Sequence, residues 1–508
     1  MAVALAAPHF DAVVAGERAV AAGGNALDAA LAAAVMLTVV YPHQCALGGD
    51  LVALVRSPAG VTTAVVAAGT APAEIGRAAA AWPAMPRQGA HAVTVPGIVA
   101  GWSELAGLGA VLPLGAAFAD AAVTAEHGTP VSAGLERALD ARREAVLADP
   151  GLRSVLAPGG TPLRRGEPLR QPALATTLRR LARDPRDVYE GETADALVAL
   201  LRARGGTHTA ADFAAYRAAT SPAVTRDVAG RAWSVAPPPS VGAVLVGVGR
   251  ATAGGPDPAR LLAAVRSGAA ARAAHLGDPR AGAVDLERML RLDVAAAAGA
   301  GPEPRAAGDT VAVTAADDTG WSVAIVQSVF QSFGAGLLEP ETGIVLHNRG
   351  AAFSLDPSSP ARLAPGTRPP HTLCPVIVRG DDVTVVAGCQ GGRAQPWILA
   401  QLLPALTDPA LPLGDVLARP RWVVGDADLG HAGTTVVAEP GVDDEATAAA
   451  VAAGLPVHRF PGPADAAGHV QVVRRLRRGG TPVLEAASDP RADGAGVVVE
   501  QTTTKEEP

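Results

Sequence analysis

The spacing of apolar residues along the chain changes near its middle. Most of residues 1–300 carry helical patterns separated by glycine and proline. The clearest is an Ala-rich run ending at Val40, for which Asn25 is placed as the N-cap and Asp28 as the third helical residue. The first half is therefore predicted to be mainly helical. Further helical patterns lie at 115–127, 173–184, 193–204 and 210–218.

A proline- and glycine-rich linker at 299–309 separates this half from a segment of different character. Helical patterns at 397–406 and 443–453 are interspersed there with short β-branched runs. The chain therefore has an α+β pattern, and residues 501–508 form a polar tail that is predicted to be disordered. The predicted strands of the second half lie at 311–314, 323–328, 343–347, 375–378, 383–387, 434–438 and 470–473.

Composition narrows the functional classes. Of 508 residues, 49% are apolar and 18% are charged, which indicates a folded chain with a large core. The net charge of −7, without a concentrated basic patch, argues against nucleic acid as a partner. The three cysteines cannot form a disulfide framework, and the eleven histidines lack the spacing of a metal site, so no metal is predicted.

Neither a membrane span nor an export signal is predicted. The N-terminus lacks the basic region and the long apolar run of a signal peptide. The longest apolar stretch, 29–41, is shorter than the roughly 18 residues that suggest a membrane-spanning helix. We therefore expect a cytoplasmic protein, with secretion by another route left open.

A threonine at the end of the linker is the first candidate for chemistry. Threonine is a poor nucleophile unless a base removes its proton, and a threonine at a chain's N-terminus can use its own α-amino group as that base. Gly308, Asp309 and Thr310 stand between the linker and a predicted strand, where cleavage before Thr310 would expose such an amino group. An ordinary turn leading into a strand is the alternative.

Two further segments carry groups suited to binding. Glycines in the segment 388–392, between a predicted strand and a helix, would let backbone N–H groups approach developing negative charge, although a simple turn fits the same pattern. His371 and Thr372 precede an apolar strand and could line a pocket. A loop histidine with satisfied hydrogen bonds is the alternative there.

These segments belong to a longer series of motifs. In their order and spacing the motifs resemble the gamma-glutamyltransferase family of N-terminal-nucleophile hydrolases over nearly the whole chain. The first half contains GGNALDAA at 23–30, YPHQ at 41–44, LGGD at 47–50, VPG at 95–97, LRQP at 169–172, YEG at 189–191 and PPPS at 237–240. The second half contains GDT at 308–310, QS at 327–328, FG at 333–334, PG at 365–366, RP at 368–369 and GG at 391–392.

The resemblance implies a four-layer αββα sandwich, made as one precursor that cleaves itself between Asp309 and Thr310. The products would be a large subunit, 1–309, and a small subunit, 310–508, which stay together as a heterodimer, with further dimerisation left open. No organic cofactor is implied. The substrate would be a small amide or peptide with a gamma-glutamyl or other acyl group, and water or an amine would accept that group.

The resemblance also implies roles for individual residues. Thr310 is the nucleophile, and Ser328 stands where the family has a threonine that hydrogen-bonds the nucleophile and assists processing. Gly391 and Gly392 supply the N–H groups of an oxyanion hole. The predicted substrate-binding residues are Asn348, Arg349, and the pair His371 and Thr372, which stands where the transpeptidases carry two serines.

Several departures from the family pattern concern the substrate. Ala68 replaces an arginine that holds the substrate α-carboxylate, and Ala352 replaces an aspartate that binds its amino group. Phe330 replaces an asparagine of the pocket, and Val311 replaces the second threonine at the cleavage site. Because an unpaired charge is costly to desolvate, a glutamyl group would bind poorly. Arg349 could pair with a carboxylate from another direction, or be an ordinary surface arginine.

Two hypotheses remain. The pattern in residues 348–357 is closer to acylase-like members of the family than to true transpeptidases. The chain is then an active amidase that cleaves gamma-glutamyl or related acyl amides, or a relative that is not processed or not active and has a binding or scaffold role. The presence of Thr310, Ser328 and the two glycines favours the amidase.

Overall fold

Strands occur in both halves of the chain. The fold was determined as a computed structural model, which describes residues 1–255, 257–294, 309–425 and 430–501. The strands are β1 Ala2–Ala7, β2 Asp50–Arg56, β3 Thr62–Ala67, β4 Thr129–Pro130, β5 Pro168–Leu169, β6 Ala219–Pro222, β7 Val224–Val228, β8 Arg231–Val235, β9 Asp309–Asp317, β10 Ser322–Phe330, β11 Leu338–Glu339, β12 Ile344–Val345, β13 Val376–Arg379, β14 Val383–Cys389, β15 Trp422–Gly425, β16 Thr435–Ala438, β17 Val457–Arg459, β18 Val470–Arg478, β19 Thr481–Ser488 and β20 Ala495–Glu500.

The α-helices are concentrated in the first half, as the sequence predicts. Over the described ranges, none of them is both long and apolar enough to cross a membrane. The helices are α1 Phe10–Ala21, α2 Ala26–Val40, α3 Ile75–Ala79, α4 Ile98–Gly107, α5 Leu114–His127, α6 Ala133–Ala141, α7 Arg143–Ala148, α8 Pro150–Leu156, α9 Pro172–Leu181, α10 Asp187–Glu190, α11 Glu192–Ala203, α12 Ala210–Ala215, α13 Gly242–Ala251, α14 Pro258–His275, α15 Leu286–Leu290, α16 Gln395–Leu406, α17 Leu413–Leu417 and α18 Asp444–Ala452.

Two large antiparallel sheets organise the molecule. The first has seven strands in the order β20-β1-β9-β10-β2-β3-β6, and the second has six in the order β19-β18-β14-β13-β8-β7. The first half of the chain therefore supplies β1, β2, β3 and β6 to one sheet and β7 and β8 to the other. The pattern of the first half predicted its helices but not these six strands. The alanine-rich β1 gave no strand signal because alanine has a low strand propensity.

The core of the molecule lies on both faces of each sheet. In the first sheet, Val311 and Val313 of β9 pack in the cluster that contains helices α1 and α2, whereas Ala312 belongs to a cluster shared with the second sheet. The other face of the second sheet packs against helices α13, α14 and α16. Because side chains alternate along a strand, Thr310 lies on the same face as Ala312, toward the second sheet.

The two sheets approach each other closely near this point. A side chain at Gly388, at the end of β14, would place its Cβ 3.1 Å from the Ala312 Cβ and 2.8 Å from the Val326 Cγ2. Only glycine fits here without movement of the neighbouring strands. The end of β14 is therefore held against the beginning of β9.

Helix α2 begins as the sequence predicts. The Asn25 Oδ1 accepts hydrogen bonds from the amides of Leu27 (2.8 Å) and Asp28 (3.3 Å), and the Asp28 carboxylate accepts one from the Asn25 amide (2.9 Å). This reciprocal capping satisfies helix N–H groups that would otherwise be buried without partners. All fifteen residues of the helix are buried.

The tail prediction is wrong at its first residue. The Gln501 amide donates to the Met1 carbonyl (2.9 Å), and its side chain donates to the Gly24 carbonyl (3.0 Å). Gln501 thereby continues the pairing of β20 with β1. Residues 502–508 and the linker residues 299–308 lie outside the described residues.

We predict a large loss of stability on replacing Asp317 in the β9–β10 turn. Its buried Oδ1 accepts hydrogen bonds from the amides of Thr319 (3.0 Å), Gly320 (2.9 Å) and Trp321 (3.0 Å), and its Oδ2 accepts one from the Ala26 amide (3.2 Å). Asp317→Ala should cost about 2–4 kcal/mol, because it leaves three half-buried turn amides and the buried Ala26 amide without their acceptor. Urea unfolding would measure the loss.

The matched control is Asp317→Asn, which keeps one oxygen for the turn amides. We expect it to lose less than half as much stability as the alanine variant. Equal losses in the two variants would contradict the assigned role of the turn hydrogen bonds.

Candidate active site

Thr310 lies at the start of β9, opposite a bulge in β10. The register pairs Gln327 with Val311 and Phe330 with Asp309, so that Ser328 and the residue after it both lie opposite Thr310. A bulge of this kind bends the strand and redirects its side chains. It brings the Ser328 hydroxyl to the side chain of Thr310.

The Ser328 hydroxyl forms hydrogen bonds with groups on both sides of the proposed cleavage site. It accepts hydrogen bonds from the Thr310 Oγ1 (3.2 Å) and from the Phe330 amide (2.7 Å), and it donates to the carbonyl oxygen of Asp309. That carbonyl belongs to the peptide bond between Asp309 and Thr310. The hydroxyls of Thr310 and Ser328 thus lie together beside this peptide bond in a buried position.

Phe330 is a site residue to which the sequence assigned no contact. Its φ of 77° is unusual for a residue other than glycine, and this backbone conformation directs its N–H toward Ser328. Its ring lies against the guanidinium of Arg349, with 4.0 Å between the Arg349 Cζ and the ring centroid. Phe330 therefore links the neighbourhood of Thr310 to Arg349.

Arg349 is buried, so it is not the ordinary surface arginine that the sequence also allowed. It is 1% exposed, and its Nη1 donates to the Thr372 Oγ1 at 3.3 Å. Burial, with a contribution from other nearby arginines, lowers the pKa of Arg349 to about 9, so the side chain stays charged at neutral pH. Thr372, predicted to bind substrate, is brought to this arginine.

The side chain of Asn348, the other predicted binding residue of this segment, is hydrogen-bonded to other residues of the protein. Its side-chain amide donates to the Arg87 carbonyl (2.8 Å) and to the Gln331 Oε1 (2.7 Å), and its oxygen accepts from the Gln331 amide (3.1 Å). These bonds fix the loop that precedes Arg349. A positioning role fits these contacts better than the predicted contact with substrate.

His371 belongs to a buried group around Asp50. The Asp50 Oδ2 lies 3.2 Å from the His371 Nε2 and 3.4 Å from the His347 Nδ1, while its Oδ1 accepts from the amides of Gly69 (3.0 Å) and Gly97 (3.2 Å). Burial opposes ionisation of Asp50, but the two histidines hold its pKa well below the ordinary value. Burial lowers the pKa of His371 to about 4, which makes it neutral at pH 7.

The sequence assigned no role to Asp50 or His347. Asp50 is the Cα partner of Ser328 between β2 and β10, so this polar group lies beside the serine on the neighbouring strand. The LGGD motif at 47–50 contained the only local signal. Because its partners lie about 300 residues away along the chain, the sequence could not reveal the grouping.

Gly391 and Gly392 lie where β14 turns into helix α16. Their φ angles are 142° and 52°, and a Cβ at Gly391 would lie 2.5 Å from the Ile398 Cδ1. Glycine is therefore required at this turn. Since Gly388 of the same strand contacts Ala312, the turn lies at the end of the second sheet that is nearest to Thr310.

The substituted substrate positions carry no compensating charge of their own. Ala68 is buried, and its carbonyl accepts a hydrogen bond from the Tyr216 hydroxyl at 3.1 Å. Ala352 ends the short 3₁₀ helix that starts at Arg349. Among the described residues there is no cluster of three or more potential metal ligands, and all three cysteines are buried as free thiols.

We predict that Asp309 makes the precursor less stable as the pH rises. Burial raises the pKa of its carboxyl to about 6, although a hydrogen bond with the Ser332 side chain opposes the shift. The protonated form is therefore favoured by folding, so this stability is present below about pH 4 and is lost as the pH rises through 6. The loss should be at most about 3 kcal/mol.

The measurement compares urea unfolding of Thr310→Ala with that of Thr310→Ala/Asp309→Asn at pH 4 and pH 7. Without the Thr310 hydroxyl, both variants are expected to stay in one piece, and the second has no carboxyl to titrate at position 309. The single variant should lose more stability between these pH values. Parallel changes in the two variants would exclude Asp309 as the responsible group.

Comparison with known proteins identifies a family and relatives that match nearly the full length of the chain. The family model described as gamma-glutamyltranspeptidase matches residues 12–499. The oxamate amidohydrolase proenzyme of Klebsiella pneumoniae is 35% identical over 96% of this chain and 97% of its own length. The glutathione hydrolase-like YwrD proenzyme of Bacillus subtilis is 31% identical over 82% and 84%, respectively. The crystal structure of a cephalosporin acylase from Bacillus halodurans has a TM-score of 0.86 and 29% identity, covering 97% of this chain and 95% of its own.

Proposed function

Since the chain belongs to the gamma-glutamyltranspeptidase family, we propose that it is a precursor that cleaves itself before Thr310 and then hydrolyses small amides. The observation that carries this proposal is the Ser328 hydroxyl, which bonds both the Thr310 Oγ1 and the Asp309 carbonyl. The two subunits, 1–309 and 310–508, would remain interlocked in a four-layer αββα unit.

Self-cleavage would use groups that are already in contact. The Thr310 Oγ attacks the carbonyl carbon of Asp309, and the Ser328 hydroxyl stabilises the negative charge that develops on the carbonyl oxygen. The C–N bond breaks as the nitrogen takes the proton that the Thr310 hydroxyl gave up, which frees the Thr310 α-amino group and leaves an ester between Asp309 and the Thr310 side chain. Water hydrolyses this ester to a carboxylate at Asp309, restores the Thr310 hydroxyl and separates the two subunits' chains.

Turnover would then follow the chemistry of an N-terminal nucleophile. The α-amino group takes the proton of the Thr310 hydroxyl as its oxygen attacks the substrate amide, and later passes a proton to the leaving nitrogen. Backbone N–H groups of Gly391 and Gly392 stabilise the oxyanion. The acyl-threonine ester is released by water, or by an amine acceptor.

The substituted residues favour an acylase-type substrate over a gamma-glutamyl one. Ala68 and Ala352 cannot pair with the carboxylate and ammonium of a glutamyl head group, whose desolvation would then be uncompensated. The relative named as an oxamate amidohydrolase covers almost the full chain. We therefore propose a compact acyl amide as the substrate, with oxamate as the first candidate.

Gel electrophoresis and N-terminal sequencing test the proposal against the alternative of an unprocessed, non-enzymatic relative. Purified protein should give two bands, and the smaller should begin at Thr310. The processed protein should release ammonia or amine from members of a panel of gamma-glutamyl, glutaryl and short acyl amides. A single 50.7 kDa band that persists on incubation, without amide turnover, would favour the binding or scaffold role.

A further inference from the structure

Arg349 is a buried, positively charged side chain, and some of its N–H groups lack hydrogen-bond acceptors. Among the described residues, its Nη1 donates to Thr372, whereas its Nε and Nη2 have no hydrogen-bond partner. Buried guanidinium groups normally have their N–H groups satisfied, because an unpaired charged donor is costly to bury. An arginine with open donors in this position points to a ligand that supplies acceptors.

The open donors form one edge of the guanidinium plane. The Nε and Nη2 N–H groups are parallel, and they match the two oxygens of a carboxylate. The Phe330 ring lies against the guanidinium, 4.0 Å from its Cζ, and a ligand would meet the unpartnered N–H groups along this edge. This geometry selects a flat, two-oxygen anion over a single neutral acceptor.

The local charge also favours an anion. Asp50 lies within electrostatic reach of Arg349, but its oxygens are already engaged by His371, His347 and two backbone amides. Arg272 and Arg393 add further positive charge around the guanidinium. A bound carboxylate would give Arg349 the direct ionic partner that Asp50, engaged elsewhere, does not provide.

A series of short contacts connects Arg349 to Thr310. The Thr310 Oγ1 lies 3.2 Å from the Ser328 Oγ, the Ser328 Oγ lies 2.7 Å from the Phe330 amide, and the Phe330 ring stacks on Arg349. The arginine is thus one side chain removed from the residues that touch Thr310. A carboxylate bound by Arg349 would therefore lie in the same region of the molecule as Thr310.

We propose that Arg349 binds the carboxylate of a short monoamide whose carboxylate adjoins the scissile carbonyl. This inference rests on the proposed function and defines the acyl group that the site accepts. For the smallest such substrate, the Thr310 Oγ forms a bond to the amide carbon, the C–N bond breaks, and ammonia leaves with the transferred proton. Water then cleaves the ester to a dicarboxylate and restores the threonine.

The test compares oxamate with oxamide, a neutral amide of nearly the same size. The wild-type enzyme should prefer oxamate, and Arg349→Gln should lower kcat/KM for oxamate by about 100-fold while changing that for oxamide by less than about 3-fold. Arg379→Gln, which removes an exposed charge at the end of β13, should leave both values unchanged. Equal losses for both amides, or no loss for oxamate, would overturn the assignment.

Oxalate binding separates failure of this inference from failure of the proposed function. Calorimetry with oxalate requires no turnover, and Arg349→Gln should weaken binding by at least about 30-fold. If the chain neither cleaves itself nor turns over amides, the proposed function is wrong, and the oxalate result still decides the role of Arg349.

A second variant, Arg349→Lys, keeps the charge but not the planar edge, and it serves if the glutamine variant does not fold. It should bind oxalate about 10-fold more weakly than the wild type. Wild-type affinity in both variants would refute the carboxylate site.

Discussion

Thr310→Ala is expected to yield a single 50.7 kDa chain that neither cleaves itself nor hydrolyses amides. The substitution removes the hydroxyl proposed to attack the Asp309 carbonyl carbon and leaves only that of Ser328, which hydrogen-bonds the carbonyl oxygen. Without cleavage the α-amino base is never formed, and turnover should fall by at least about 10³-fold. Gel electrophoresis over days and an ammonia-release assay would measure the two effects.

The same strand provides a matched control. Thr314 is buried on the same face of β9 as Thr310, four residues along, and its hydroxyl has no partner among the described residues. Thr314→Ala should therefore cleave and turn over substrate like the wild type. Thr310→Ser, which keeps a hydroxyl, should retain cleavage at a changed rate. Cleavage of Thr310→Ala at the same bond would disprove the proposed nucleophile.

Ser328→Ala is expected to slow self-cleavage by about 10²-fold, the usual cost of losing one donor to a developing oxyanion. The serine hydroxyl is also an acceptor for Thr310 and Phe330, so its removal loosens both the nucleophile and the bulge. The appearance of the small subunit in freshly synthesised protein, followed on gels, gives the rate.

Two substitutions control this experiment. Ser328→Thr retains the hydroxyl and should cleave within about 10-fold of the wild-type rate. Ser322→Ala alters a buried serine at the opposite end of β10 and should have no effect on the rate. If Ser322→Ala slowed cleavage as strongly as Ser328→Ala, general loosening of the strand would explain the result.

The second half of the chain was the more predictable part of the fold. Its strands have β-branched residues bounded by turn residues, as at 323–328, and β10 includes this whole segment. In the first half, the buried parts of β2 and β3 are short apolar runs, at 51–55 and 64–67, which periodicity cannot separate from a buried helix. Those strands were therefore missed.

The candidate site likewise contains some residues that the sequence indicates and others that it does not. Thr310 and Ser328 could be selected from motifs, because their neighbours along the chain carry the signal. The burial of Arg349 could not, since arginine is mostly exposed and its neighbours include small residues that suit a surface turn. The contact of Phe330 with Arg349 depends on a positive φ at a bulge, which no local pattern indicates.

The strand order of the first sheet has a consequence for assembly. Strand β1, from the proposed large subunit, lies between β20 and β9 of the small one, and β10 is followed by the large subunit's β2. While the chain is continuous, these pairings form at the high effective concentration of a single molecule. After cleavage, unfolded pieces would have to find each other by diffusion in competition with aggregation. A cleaved molecule that unfolds would thus refold poorly, whereas the uncleaved precursor can fold as a single chain.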